Sequence, residues 1–570
     1  MKKGRSLLIL VLILISASCK PRPQKTETPE PGGACSEIQN QPGSVDKVLA
    51  SPGEDPAPGD WLVRAMMDEP GTLNPVTATD IYAELVDSLV MESLLELDID
   101  TQELKPLLAQ TWEISPDKLT YTFHLRKDVR WQDGKPFTAD DVIYTLQKIM
   151  DPKVDAAHSR IYYIDCIEYK KLDDYTVFFR WRQPYFKALE ILGTSPMLIV
   201  PKHILDDNTD FNKHPFGRNI VGTGPYKFVK WETGKRIELV RNENYWGKKP
   251  YPDRIVFKII TNEDVALQAF KQGEIDTVSL TPTQWTKQTN YPEFYQKANK
   301  IAYDYPQFGY IGWNLRRAPF DDKRVRTAMT LLLNREAILK NIMFCMGKVV
   351  SGPFYINTPY YDQTIKPLPY DPEQAKKILD QAGWSDHNGD GVRDQDGKDF
   401  RFEFLMPSGN QDTEKIATIY KEDLAKAGII MEIRQLEWAV FLQNIQDHKF
   451  DASTLGWAMD FDTDPYQIWH SSMADVKGSS NHVGYKNPEV DQLIEQGRVE
   501  FDRNKRALIY HQIHKIIAQD QPYTFLFTPK ARIAVNKRFR NVVPYTLRPI
   551  FKFTDWFVPL PLQKYSEDKK

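Results

Sequence analysis

Between residues 120 and 150 the chain changes its hydrophobic period. Tyr121, Phe123 and Leu125 alternate with Thr122, His124 and Arg126, the period of two required by a strand with one buried face. Asp133 and Gly134 supply a turn, and Thr138 followed by Asp141 makes a capping-box start for a helix carrying Val142, Ile143 and Leu146. The helical period returns at Val325, Ala328, Met329, Leu332 and Leu333, a core-facing stripe at i, i+3, i+4, i+7 and i+8. Asp371 and Pro372 open another helix with Ala375, Ile378, Leu379 and Ala382 on one face and Gly383 at its end. A third covers 266–270 and closes at Gly273, after a strand around 255–260. Strands alternate with helices and no repeat is visible, so the class is α/β or α+β with mixed sheets.

The N-terminus reads differently. Lys2, Lys3 and Arg5 precede an apolar run at 7–15, shorter than the roughly 20 residues of a membrane span, and Ser16, Ala17 and Ser18 lead to Cys19. This is a secretory signal over 1–19. Residues 20–60 are rich in Pro, Gly, Ser, Glu and Gln, too polar to offset the entropy of ordering, and read as a flexible tether. About 510 of the 570 residues remain, enough for two or three domains. The net charge of -3, with no basic patch interleaved with aromatics, argues against nucleic acid as a partner.

Catalytic patterns fail on inspection. Ser44 with Lys47 and Ser115 with Lys118 match Ser-x-x-Lys, but no Lys-Thr-Gly partner occurs. The Gly222, Thr223, Gly224 segment lacks the Gly-Lys-Ser/Thr ending of a phosphate loop, and its glycines are expected to serve a turn. Neither His-Glu-x-x-His nor Gly-x-Ser-x-Gly is present, so the chain is not expected to be an enzyme. His511 and His514 lie one helical turn apart and could share a cation, yet Ile509, Ile513, Ile516 and Ile517 make them flanks of a core stripe. Asp386, Asn388, Asp390 and Gly391 copy positions 1, 3, 5 and 6 of a calcium loop, but Gly397 stands at position 12 where a bidentate Glu is needed. A polar hairpin explains 386–394 better, with a weak calcium site left open. No cofactor and no metal is expected.

The segment 104–142, with Leu104, Pro106, Leu107, Leu108, Trp112, the 121–131 strand ending in Trp131, and Asp133 to Val142, resembles the signature of the family 5 extracellular solute-binding proteins. These are the peptide/nickel-type receptors of ABC importers. Val221 to Tyr226, Trp231 and the run from Arg241 to Pro250 continue the resemblance, which extends from Trp61 to about Pro561. It implies a two-lobed, periplasmic-binding-protein-like fold of type II, cluster C-like, with a hinge and an inserted domain. Lobe I would comprise 61–97, 221–312 and 533–570, the insert 98–220, and lobe II 313–532. If Cys19 is acylated, Cys35, Cys166 and Cys345 permit one disulfide. None is expected, because Cys35 lies in the tether and the other two fall in different lobes.

The same resemblance assigns function. Cys19 after small residues resembles a lipobox and would be lipidated, although Ser16 stands where that pattern has Leu. In the peptide-binding members a Gly-Trp-x-x-Asp run places a carboxylate on the ligand's ammonium, and here it falls on Gly456, Trp457 and Asp460. The following Asp-Pro arrives one residue late, so Asp462 and Asp464 are alternates. Three carboxylates in five residues need cationic partners or water, and capping of the next helix around 466–470 is the structural alternative. Extended backbone around Thr79 to Ile81 would run beside the ligand, which would pair as an added strand. The expected protein is a monomeric, periplasmic or cell-surface lipoprotein that binds small peptides, meets the importer's membrane subunits and touches the membrane through its lipid. An oligosaccharide or other solute receptor is the alternative, then a structural or signalling lipoprotein.

Overall fold

The computed structural model describes residues 44–98, 103–460, 462–545 and 549–565. All belong to one compact unit, 37–570. The signal, Cys19 and Cys35 lie outside the described residues.

Three sheets carry the architecture. The largest has eight strands, with Trp61–Met66 at its centre, parallel to Arg254–Ile259 and Thr277–Ser279. Arg236–Arg241 and Tyr226–Glu232 extend one side antiparallel, while Phe527–Asn536 and Ala298–Asp304 extend the other. Leu62 and Met66 enter one hydrophobic cluster and Val63 the other, so the central strand is covered on both faces. Phe527–Asn536 crosses the 532/533 boundary expected from sequence, and Gly347–Val349 also pairs with it.

The second sheet is an antiparallel four, Ala109–Ile114, Thr120–Leu125, Thr176–Trp181 and Cys166–Asp173. Tyr121, Phe123 and Leu125 are buried and their neighbours less so, as the alternation requires. Helix Ala139–Met150 follows, and Asp141 reaches back to accept the Thr138 N–H at 3.0 Å. The third sheet has five strands in the order Ile430–Leu436, Arg401–Pro407, Ala452–Ala458, Gln307–Trp313 and Tyr523–Phe525. The first three are parallel, and the last two run antiparallel to their neighbours. Helix Lys323–Leu331 and the residues just past it bury the expected stripe from Val325 to Leu333. Asp371 caps Pro372–Gln381 by accepting the Gln374 N–H at 2.9 Å, and Gly273, at φ +77°, ends Glu263–Gln272.

Three expectations change. Residues 44–60 are not free tether: the Val45 N–H donates to the Lys300 carbonyl, Val48 pairs with Val542, and Glu54 is ion-paired to Arg540. Backbone pairing and ion pairs hold a segment whose composition alone would not bury it. The glycines at 222 and 224 do not serve a turn so much as a close approach, since a Cβ at Gly222 would lie 1.7 Å from the Val90 carbonyl oxygen. Cys345 is disulfide-bonded, against the expectation of none, while Cys166 is a free, buried thiol.

Candidate ligand-binding site

The strand Ala452–Ala458 pairs Gly456 opposite Gly309 in the middle of the five-stranded sheet, and the chain leaves its end through Asp460, Asp462 and Asp464 before the short helix Tyr466–Trp469. Trp457 stacks on His482 at 5.6 Å and donates from Nε1 to the Tyr523 hydroxyl at 3.3 Å. Burial pushes the His482 imidazole down to about 3, so the ring stacked on Trp457 is uncharged at physiological pH.

Each carboxylate meets a cation. Asp462 accepts from Arg506 Nη2 at 2.8 Å on both oxygens, lies 3.4 Å from Arg503 Nη2, and accepts the Tyr360 hydroxyl. Asp464, whose side chain is 0% exposed, accepts the Tyr185 hydroxyl at 2.6 Å and the Tyr466 N–H at 3.0 Å, with Arg498 Nε 3.0 Å away. Burial opposes the Arg498 charge, but Asp464 and then Tyr185 outweigh it and raise the guanidinium's pKa. Asp460 is 46% exposed and pairs with Lys187 Nζ at 3.1 Å. Lys187, 5% exposed, sits at the same distance from Glu190. Burial works against its ammonium, yet Glu190 and Asp460 together lift its pKa. One cation thus serves two carboxylates, Glu190 partly covered and Asp460 facing solvent.

These partners come from far along the chain. Tyr185 and Lys187 follow the strand Thr176–Trp181 of the four-stranded sheet and precede helix Ala188–Gly193. That loop is fastened to the segment beyond Asp464 by the Phe186 N–H on the Arg498 carbonyl at 3.0 Å and by Arg506 over the Phe186 ring at 3.9 Å. Tyr162 adds a hydrogen bond to Gln467 at 2.6 Å. Sequence reading missed Lys187, Tyr185, Arg498 and Arg506. Its one clue was that the carboxylates needed cations, and nothing local says which.

Thr79, with Tyr82 just beyond Ile81, meets a different element. The Thr79 hydroxyl accepts from Gln446 at 3.2 Å, and Tyr82 packs edge-on against Trp438 at 6.0 Å, both partners belonging to helix Trp438–Gln446. Asp80 is extended, but Ile81 is the first residue of helix Ile81–Val90, so the expected extended run stops one residue early. Asp80 imposes this by accepting the N–H groups of Tyr82 and Ala83 at 3.0 Å. Nearby, burial and then Glu437 push Asp68 up to about 6. On the same pattern Glu263 is raised to about 7 by burial and by Asp412 across the gap, where Gln411 also donates to Asp264 at 2.8 Å. The eight- and five-stranded layers therefore meet through paired acids as well as through hydrogen bonds.

The remaining chemical candidates are structural. His514 Nδ1 accepts the Asp362 N–H at 3.1 Å, which leaves the proton on Nε2, 3.0 Å from Ser351 Oγ. That tautomer donates to serine and cannot take its proton, and with both nitrogens engaged His514 cannot share a cation with His511. In the 386–394 loop Asp386 accepts from Gly389 and Gly391, and Asn388 from Asp390, so these oxygens hold the turn itself.

Comparison with known proteins agrees with this architecture. The family model for bacterial extracellular solute-binding proteins, family 5, matches residues 103–478. The chain belongs to this family. It is 31% identical to the oligopeptide-binding protein AppA of Bacillus subtilis over 539 residues, 92% of this chain and 96% of that protein. The structure of AppA in complex with a nonapeptide superposes with a TM-score of 0.84 at 30% identity, covering 88% of this chain and all of that one. DppA from Helicobacter pylori, in complex with the peptide STSA, gives 0.79 at 25% identity, covering 88% and 99%. NikZ from Campylobacter jejuni, in complex with Ni(L-His), gives 0.76 at 25%, covering 88% and 100%. The mixed α/β fold is that of the periplasmic binding proteins.

Proposed function

We propose that this chain is the receptor of an ABC importer and binds small peptides between two lobes, one built on the eight-stranded and one on the five-stranded sheet. The observation that carries the reading is the Asp460 site: a half-exposed carboxylate three residues past Trp457, in a loop whose other acids are held by arginines. A peptide ammonium would share Asp460 with Lys187, and main-chain pairing would hold the rest while side chains are read loosely through water. The likeness to AppA and DppA, whose structures hold peptides, supports the ligand class. Lipidation of Cys19 would keep the receptor at the cell envelope. Calorimetry of the soluble body with free-amine and N-acetylated forms of the same peptides tests the reading. Tight binding of the free-amine form alone is expected; equal affinity for both forms would remove the ammonium anchor, and no binding across a diverse peptide set would remove the ligand class.

A further inference from the structure

A cavity of about 200 Å³ lies outside the carboxylate loop, between the 365–368 segment, the helix beginning at Arg335 and the helix Arg503–Asp520. Ligand pockets for drug-sized molecules run to about 300–1,000 Å³, so this one suits something smaller. Its charged lining residues are Arg335, Lys366 and Lys515, and no carboxylate lines it. In a chain of net charge -3 that concentration of cations has no general cause.

Arg335 is the unusual member. It is 4% exposed, and its guanidinium donates to two neutral acceptors, the Phe525 carbonyl at 2.6 Å and the Leu368 carbonyl. Among the described residues none of the three cations forms an ion pair. Buried charges are ordinarily paired, because an isolated one loses hydration without compensation. Burial accordingly pulls the Arg335 pKa down to about 10, with Glu336, exposed on the same helix, the first group to oppose it. A guanidinium carries five N–H donors in a planar fork, so two carbonyls do not exhaust it, and the fork matches an oxyanion. Lys366 donates to the Gln363 carbonyl at 2.8 Å, and Lys515 is exposed on its helix, so both can turn toward a guest. Ser351 also lines the cavity, but its hydroxyl is occupied by Tyr361, Ile365 and His514.

We propose that this cavity is a binding site for one small oxyanion, a phosphate or a small carboxylate, separate from the interlobe cleft. The guest would complete the charge of Arg335 and tie the 365–368 segment to helix Arg503–Asp520.

The test is titration calorimetry of the whole mature protein with inorganic phosphate and, separately, acetate, each at constant ionic strength against a chloride control. One saturable site is expected, weakening as salt is raised. Phosphate alone would assign a phosphate guest, and acetate alone or both would assign a carboxylate-accepting site. The double variant Lys366→Gln, Lys515→Gln should weaken binding roughly tenfold and leave peptide affinity unchanged. Arg335→Lys, which keeps the charge and loses the fork, should weaken it further. Heats equal to the chloride control for both anions, or undiminished binding in the lysine double variant, overturn the proposal.

Discussion

Asp460 and Asp464 lie four residues apart and should fail in opposite ways when made neutral. Asp464 is wholly buried between Arg498 at 3.0 Å and the Tyr185 hydroxyl at 2.6 Å. Asp464→Asn strands a guanidinium that is 7% exposed, and breaking a buried pair from one side costs about 3–5 kcal/mol. If the expected lobe II, 313–532, unfolds as a unit of about 220 residues, each kcal/mol moves Tm by about 2–4 °C and a fall of about 6–20 °C is expected. Asp460→Asn leaves Lys187 its second partner, Glu190 at 3.1 Å, and removes a carboxylate that is 46% exposed. That loss should stay near 1 kcal/mol or below. Its cost should appear in binding: a free-amine peptide loses about 2–5 kcal/mol when its carboxylate is removed, or roughly 30-fold and more in affinity. Differential scanning fluorimetry and calorimetry on the two variants separate the roles. A wild-type Tm for Asp464→Asn would refute the buried-pair reasoning, and wild-type peptide affinity for Asp460→Asn would refute the anchor.

Other outcomes follow from the same geometry. Glu263, raised from 4.5 to about 7, is protonated more readily in the folded molecule than unfolded, so its stabilising contribution is complete below about pH 4.5 and lost as pH rises through about 7. Glu263→Gln should therefore match wild type at pH 5 and gain on it by pH 8. Comparison with the variant is needed because His482 and His514, depressed to about 3 and 4, act in the opposite sense and lose stability as pH falls below 6.5; a Tm difference that does not change with pH would refute the assignment. Gly222→Ala puts a Cβ 1.7 Å from the Val90 carbonyl oxygen, which must cost about 3 kcal/mol or more, and an unchanged Tm would show that the loop has room. Cys19→Ser should move the protein from membrane to soluble fraction, since about 0.8 kcal/mol per buried methylene goes with the acyl chains; undiminished membrane association would reject lipidation.

What the sequence determined by itself is local. The alternation at Tyr121, Phe123 and Leu125, the box at Thr138 and Asp141, the cap at Asp371 and the stop at Gly273 are each set by residues within a few positions of one another. Those elements could therefore be read before any fold was known. The need of Asp460, Asp462 and Asp464 for cations was legible too, because desolvating a carboxylate is costly wherever it sits. Which cations answer that need was not. Lys187 and Tyr185 arrive from 273 and 279 residues away, in a loop that follows a strand of another sheet, and Arg498 and Arg506 from a helix end and a helix that the packing alone brings alongside. Only tertiary structure could distinguish a half-exposed Asp460 from a buried Asp464, since burial depends on what covers a residue and not on its neighbours in sequence. The same holds for Gly222, whose necessity lies in the Val90 carbonyl oxygen, and for residues 44–60, whose polar composition describes a free chain until Lys300, Arg540 and Val542 hold it in place.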